Sequence, residues 1–236
     1  MGLVLILLFA GAAVLPAIVW LLFFIREDIH PEPRKLIAYA FTLGALATIP
    51  ALLIQVLFRH TFGGEKILFI FIGLALIEEL FKFLAAYYAI NKSPFFDEPV
   101  DAMIYMIAVA SGFATVENVL ITIGSLETIN TVSIYSASQV LLLRFVGATL
   151  LHVLSSSVVG YAWGKVMAKK THYGLLIQGI VLATLIHATF NLIVATLDKN
   201  NLLYSSTILI AAAFFVLNDF EILKKDSVTL PKTRQI

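Results

Sequence analysis

Seven windows of the chain stay apolar over about 20 residues, the length that crosses roughly 30 Å of hydrocarbon. They fall at residues 3 to 25, 35 to 58, 66 to 90, 99 to 123, 139 to 167, 173 to 197 and 202 to 223. The fifth is long enough to tilt or to extend beyond the bilayer, and the last carries Asn218 and Asp219 near its end. Turn and breaker residues separate the windows: REDIHPEPRK, RHTFGGEK, NKSPFFDEP and the Ser/Thr-rich GSLETINTVSIYSAS follow the first four in order. The pattern predicts an all-α polytopic membrane protein of about seven transmembrane helices. It forms a single integral membrane domain, residues 1–236, with no repeat or low-complexity tract. Asp97 is placed to N-cap the fourth helix, with Pro99 in its first turn. Pro16 and Pro50 are expected to kink their helices, and the small-xxx-small pair Gly160 and Gly164 to mark close packing within the bundle.

Basic residues sort by side. Arg26, Arg34, Lys35, Lys92, Lys165, Lys169, Lys170, Lys224, Lys225, Lys232 and Arg234 follow odd-numbered windows or lie near their ends, whereas Arg59, Lys66, Arg144 and Lys199 lie toward the other side. The positive-inside rule then puts the N-terminus outside and the basic tail, residues 224–236, in the cytoplasm. The first window has no basic leader and is followed by REDIH instead of a small-residue cleavage site, which predicts a retained helix.

Composition agrees with this reading. Of 236 residues, 60% are hydrophobic and only 13% charged, and the mean hydropathy is +0.96, so the lipid bilayer is the expected solvent. The net charge of +1 supplies no basic surface for a nucleic-acid partner. With no cysteine, thiolate metal sites and thiol nucleophiles are excluded, and any metal must use His, Asp or Glu.

Polar groups inside four windows break the apolar pattern. An ionisable side chain at bilayer centre costs roughly 2.5 to 3.5 kcal/mol on insertion scales, so several in neighbouring spans need a common reason. The third window holds Glu78, Glu79 and Lys82; the fourth holds Glu117 and Asn118; the fifth Arg144 and His152; the sixth His187 and Asn191. The other three windows read as nearly clean. At a rise of about 1.5 Å per residue, Glu78, His152 and His187 lie near mid-span and Glu117 roughly 9 Å from the outer end, so they can meet in one layer. Arg144 lies at nearly the depth of Glu117, which predicts an ion pair between them. Glu78 and Lys82, His152 and Ser156, and His187 and Asn191 each share a helix face. Adjacent Glu78 and Glu79 point about 100° apart and cannot serve identically. Glu79 with Lys82 therefore also has a purely structural reading, as a neutralised internal pair.

Two imidazoles with spare carboxylates suit Zn²⁺, with Glu78, Glu117, His152 and His187 as candidate ligands. The ion would activate water while a remaining glutamate acts as general base. A metal-free route is open as well: a desolvated glutamate deprotonates water, and His187 with Asn191 stabilises the oxyanion. Either route hydrolyses an amide. Buried Glu and His also build proton relays, so a proton- or ion-coupled transporter is the rival reading. A non-catalytic membrane scaffold is the third.

The stretches EELFK (Glu78 to Lys82), FDEPVDAMIYMIAVASGFATVEN (Phe96 to Asn118), His152 spaced eight residues from both Arg144 and Gly160, and HATFN (His187 to Asn191) resemble the PrsW family of membrane proteases. The likeness covers roughly residues 70 to 195, with a protease-like core at about 66–197. The family is similar to the wider group of CAAX-processing endopeptidases and bacteriocin-immunity-type membrane proteins, whose pattern is EExxxR, FxxxH and HxxxN. Here Lys82 stands one position closer than that arginine, Glu117 stands where a histidine is expected, and His152 is additional. The resemblance implies intramembrane proteolysis of a membrane protein substrate, such as an anti-sigma factor or another single-pass protein, in the plasma membrane of a prokaryote. It also implies that Glu78 and Glu79 match the essential glutamate pair, Glu117 the second motif, His152 the third, and His187 with Asn191 the fourth.

Overall fold

The structure, a computed structural model, describes residues 2–124, 144–145, 147–169, 173–196 and 201–229. Among these residues it contains seven α-helices and no strands: α1 (Gly2–Phe24), α2 (Arg34–Phe62), α3 (Ile67–Ile90), α4 (Pro99–Gly124), α5 (Ala148–Lys169), α6 (Gly174–Thr196) and α7 (Asn201–Thr229). Five of them, α1, α2, α4, α6 and α7, are long and apolar enough to cross a membrane. The other two give up apolar character to polar groups: α3 to Glu78, Glu79 and Lys82, and α5 to Thr149, His152 and Ser155 to Ser157.

The helix ends refine the expected windows. The hydropathy pattern starts the fifth window at residue 139, which falls in residues 125–143, outside the described residues; Arg144 and Phe145 are helical, and α5 runs from Ala148 after a turn at Gly147. At the other end, α7 continues through Thr229, so the start of the expected tail is helical. Lys224 pairs there with Glu27 and with Glu221, each at 2.8 Å. Asp97 is not the cap of α4. The Asp101 carboxylate, one turn inside the helix, reaches back to accept the backbone N–H groups of Glu98 at 2.7 Å and Asp97 at 3.0 Å.

Helix α4 forms the axis of the bundle. Every residue from Pro99 to Ala114 is buried, and α1, α2, α3, α5 and α7 all pack against it. Such a helix needs small residues where backbones meet. A side chain at Gly44 of α2 would overlap the Val109 carbonyl of α4, and one at Gly112 of α4 would overlap the Phe41 carbonyl of α2. Thr48 adds a hydrogen bond from the same face of α2 to the Phe113 carbonyl. Gly160 and Gly164 meet the backbone of α4 at Met103, Ala102 and Pro99, so this pair does serve packing within the bundle. The outward faces of α2 and α7 carry Leu53, Val56, Leu57, Ile210 and Phe214, all exposed as lipid contacts would be.

Helix α3 lies against α2, α4, α5 and α6, which brings its polar face toward the histidines of α5 and α6. The close α2–α4 contact fixes where α2 stands beside α3. Replacing Gly112 with leucine is expected to destabilise the protein by about 1 to 3 kcal/mol or more, because the fit leaves no room for a side chain. Gly11 of α1 is exposed, and a methyl group added there would meet nothing within 4 Å, so Gly11→Leu is the control. Thermal unfolding in detergent should drop only for Gly112→Leu, and equal shifts in both would contradict this account of the packing.

Candidate functional site

Five of the predicted residues converge in one buried layer. Glu79 is fully buried on α3, and its carboxylate accepts from every side. Lys82 Nζ reaches Oε1 at 2.8 Å, Ser155 Oγ donates to Oε1 at 3.0 Å and Ser156 Oγ to Oε2 at 2.9 Å. His187 Nδ1 lies 2.9 Å from Oε1. An ionised Glu79 can only accept, which assigns a proton to His187 Nδ1; in the neutral imidazole the lone pair is then on Nε2. Nε2 lies 3.6 Å from Glu78 Oε2.

A parallel arrangement holds the second histidine. His152 Nε2 contacts Glu117 Oε2 at 2.7 Å, and Arg144 Nη2 donates to the same oxygen at 3.0 Å, the pair expected from depth alone. Arg144 Nε is held in turn by Asn118 Oδ1 at 2.6 Å, and Asn118 Nδ2 donates to Thr149 Oγ1 and to the Ala13 carbonyl of α1. Trp20 Nε1 donates to the Phe145 carbonyl at 2.9 Å, which ties the residue next to Arg144 to α1 as well. With Glu117 accepting, the lone pair of His152 lies on Nδ1, 3.7 Å from Glu78 Oε2.

Each imidazole therefore has one nitrogen held by a carboxylate and the other turned toward Glu78. Glu78 itself is buried, and Gln55 Nε2 of α2 donates to its Oε1 at 2.8 Å. Oε2 has no hydrogen-bond partner among the described residues. Glu79 pairs with Lys82 at 2.8 Å and Glu117 with Arg144 at 3.0 Å, so of the three carboxylates Glu78 has the longest ion pair, 3.7 Å to the Lys82 that it shares with Glu79. A buried carboxylate oxygen without a partner is costly, and a protein retains one where something else is to be held.

The donor set fits a metal. Glu78, His152 and His187 each offer one ligand atom, all within 4.8 Å of one another. Two of the separations, 3.6 and 3.7 Å, are close to the roughly 3.3 Å edge of a tetrahedron built on ~2.0 to 2.1 Å zinc–ligand bonds. Carboxylates behind both histidines are the usual support of such ligands. One contact competes: Lys82 Nζ lies 2.9 Å from His152 Nδ1, so the ammonium and a metal ion are alternatives at that nitrogen.

Glu117, a candidate ligand by sequence, contacts His152 and Arg144 through Oε2 and is not in the group of Glu78, His152 and His187 whose ligand atoms lie within 4.8 Å of one another. Asn191 is half-buried one turn beyond His187 and, among the described residues, forms no hydrogen bond to the cluster. Gln55 falls outside the sequence expectation, since the second window reads as nearly clean; a lone amide in an apolar run is the available signal. A second acidic group also escapes the sequence. Asp28, Glu32 and Asp101 come together where the α1–α2 connection meets the start of α4, with Tyr105 donating to Glu32 and His30 pairing with Glu98 at 2.8 Å. Burial pushes the carboxyl of Glu32 up to about 7 and that of Asp28 above its usual range. Asp28 accepts from the backbone N–H groups of His30 and Glu32 within the connection, and Glu32 accepts from Tyr105 of α4, which ties the connection to that helix.

Glu78 and Glu79 should differ in what they do for stability. Glu79→Gln takes the 2.8 Å carboxylate from buried Lys82 and leaves it only Glu78 at 3.7 Å; breaking a buried pair in this way costs about 3 to 5 kcal/mol. Glu78→Gln removes only the longer 3.7 Å contact to Lys82 and leaves the Glu79–Lys82 pair at 2.8 Å in place, so it should cost less. Thermal melts of the two variants in detergent test this, and a larger loss for Glu78→Gln would reverse the assignment.

Comparison with known proteins bears on this geometry. A family model described as PrsW family intramembrane metalloprotease matches residues 32–218. Protease PrsW of Oceanobacillus iheyensis is 30% identical over 212 residues, covering 88% of this chain and 89% of the relative. Protease PrsW of Bacillus subtilis is 26% identical over 193 residues, 80% and 84% of the two chains. That of Geobacillus kaustophilus is 29% identical over 170 residues, 70% of each. No solved structure matches.

Proposed function

The chain belongs to the PrsW family of intramembrane metalloproteases, and from that premise we propose that this multi-pass membrane protease hydrolyses a peptide bond of a membrane-associated protein at Glu78. A single-pass protein, with an anti-sigma factor as one example, is the substrate class this reading favours. The observation that carries it is the unpartnered Glu78 Oε2 between the lone-pair nitrogens of His152 and His187.

The residues divide by role. Glu78, His152 and His187 face the reacting centre. Glu79 and Glu117 are positioning residues: each fixes the tautomer and ring orientation of one histidine. Lys82 and Arg144 neutralise those two carboxylates. Asn191, on the same helix face as His187 and not engaged with the cluster, is the donor to the oxyanion. A zinc ion on Glu78, His152 and His187 would supply a Lewis acid that lowers the pKa of water and polarises the scissile carbonyl. In the hydrolysis, water oxygen bonds to the carbonyl carbon, the C–N bond breaks, and the water proton ends on the leaving amine.

A metal-free variant of the same reaction has one specific observation behind it, the Lys82 contact on His152 Nδ1. There Glu78 Oε2 takes the water proton directly and passes it to the amine. A transporter or an inert scaffold is not favoured by the family membership. The orientation with the N-terminus outside places the layer in the outer half of the bilayer, because Glu117 and Arg144 lie toward that side.

Glu78→Gln, reconstituted with a single-pass reporter in liposomes, is expected to cleave about 100- to 10,000-fold more slowly than wild type. Cleavage at the wild-type rate would sink the proposal, and a cut mapped to the cytoplasmic segment of the reporter would contradict the orientation. Zinc analysis and chelation of the wild type separate the two routes: loss of activity restored by zinc supports the metal, and full activity in metal-free protein supports glutamate alone.

A further inference from the structure

Gln55 lies on α2, outside every motif that marks the site. Only 17% of the membrane-crossing window of α2 is buried, and most of its side chains are apolar and outward. It is the only amide side chain in that helix. Thr42 and Thr61, by contrast, return their hydroxyls to carbonyls of α2 itself, and no such local partner takes up Gln55. In hydrocarbon an amide without partners is expensive, so its position implies an obligation met by another helix.

Both partners of Gln55 are on α3. Its Nε2 donates to Glu78 Oε1 at 2.8 Å and to the Leu74 carbonyl at 3.2 Å. Leu74 is four residues before Glu78, one turn of the same helix. A single amide group therefore bridges the backbone of α3 and the carboxylate one turn on. That fork restrains the Glu78 side chain against its own helix, occupies one carboxylate oxygen, and leaves the other, Oε2, toward the two histidines.

We propose that Gln55 is a positioning residue for the site: it presents Glu78 with one oxygen engaged and one oxygen open to the reacting centre. This rests on the protease reading above and adds to it a residue on a helix that carries none of the recognised motifs. His152 and His187 are each set by a carboxylate; Glu78, which has no such carboxylate, is set by an amide. A neutral donor suits that task, since a cation at Gln55 would neutralise Glu78 and an acid would repel it.

The test uses full-length protein in detergent and Gln55→Met, which keeps length and apolar volume but loses the N–H donors. Zinc affinity, read by competition with a chromophoric chelator, is expected to fall about 10- to 100-fold, the usual effect of losing a residue that orients a ligand. In the Glu78→Gln background the same substitution should change affinity no further, because its effect passes through Glu78. In the liposome assay Gln55→Met should lower kcat and leave KM near wild type. Gln55→Asn, whose amide is one methylene too short, should follow Gln55→Met and serves if the latter folds poorly. Wild-type zinc affinity and kcat in both variants overturn the proposal, as does an equal loss with and without Glu78. If the wild type takes up no zinc, kcat decides for Gln55 and only the metal route is lost. If the wild type cleaves no reporter, it is the protease reading that fails, and zinc affinity still decides for Gln55.

Discussion

The polar layer is held together by the Glu79 carboxylate. It is the point where α3, α5 and α6 are tied to one another, through Lys82 on its own helix, Ser155 and Ser156 on α5, and His187 on α6. Inside a membrane this is not a contest between protein and water, because hydrophobic burial does little to choose one helix neighbour over another. Directed hydrogen bonds choose instead. A carboxylate with four donors fixes the relative rotation of three helices, and the two histidines and Glu78 inherit their places from it. Among the described residues, Glu78 Oε2 is the carboxylate oxygen of the layer left buried without a hydrogen bond.

The all-helical architecture was legible because a membrane permits few solutions, and the windows differ from the helices mainly at their ends. The α4 cap illustrates why ends are harder: Asp97 and Asp101 are both acids near the first turn, and only the path of the chain decides which one reaches the free N–H groups. The site was legible for a related reason. Each intramembrane charge is costly enough that Glu78, Glu79, Lys82, Glu117, Arg144, His152 and His187 stand out against their windows, and depth alone paired Glu117 with Arg144.

What the sequence withheld were roles that depend on direction. Nothing in the spacing shows that Glu117 turns its oxygen to His152 while Glu78 leaves one free, since both are acids in apolar helices. Gln55 was passed over for a different reason. A single neutral amide in an otherwise apolar window has an ordinary packing reading, and only the structure shows its donors divided between the Leu74 carbonyl and Glu78 Oε1. The acids at the α1–α2 connection lie in a segment already read as a turn, where charges need no explanation, so their meeting with Asp101 and Tyr105 emerges only from the packing.

The enclosure of α4 has a consequence for how the protein is made. Its Asn118 and Glu117 reach Thr149, Arg144 and His152, all of which lie later in the chain. During synthesis α4 therefore leaves the ribosome before its partners exist, with polar groups that lipid cannot satisfy. Helices α1 and α2, already made, can cover it on two sides, and the Ala13 carbonyl of α1 can receive Asn118 at once. Helices α1, α2 and α3, all earlier in the chain, pack against α4, so the order of the helices leaves only the partners from Arg144 onward to be met after α4 is made.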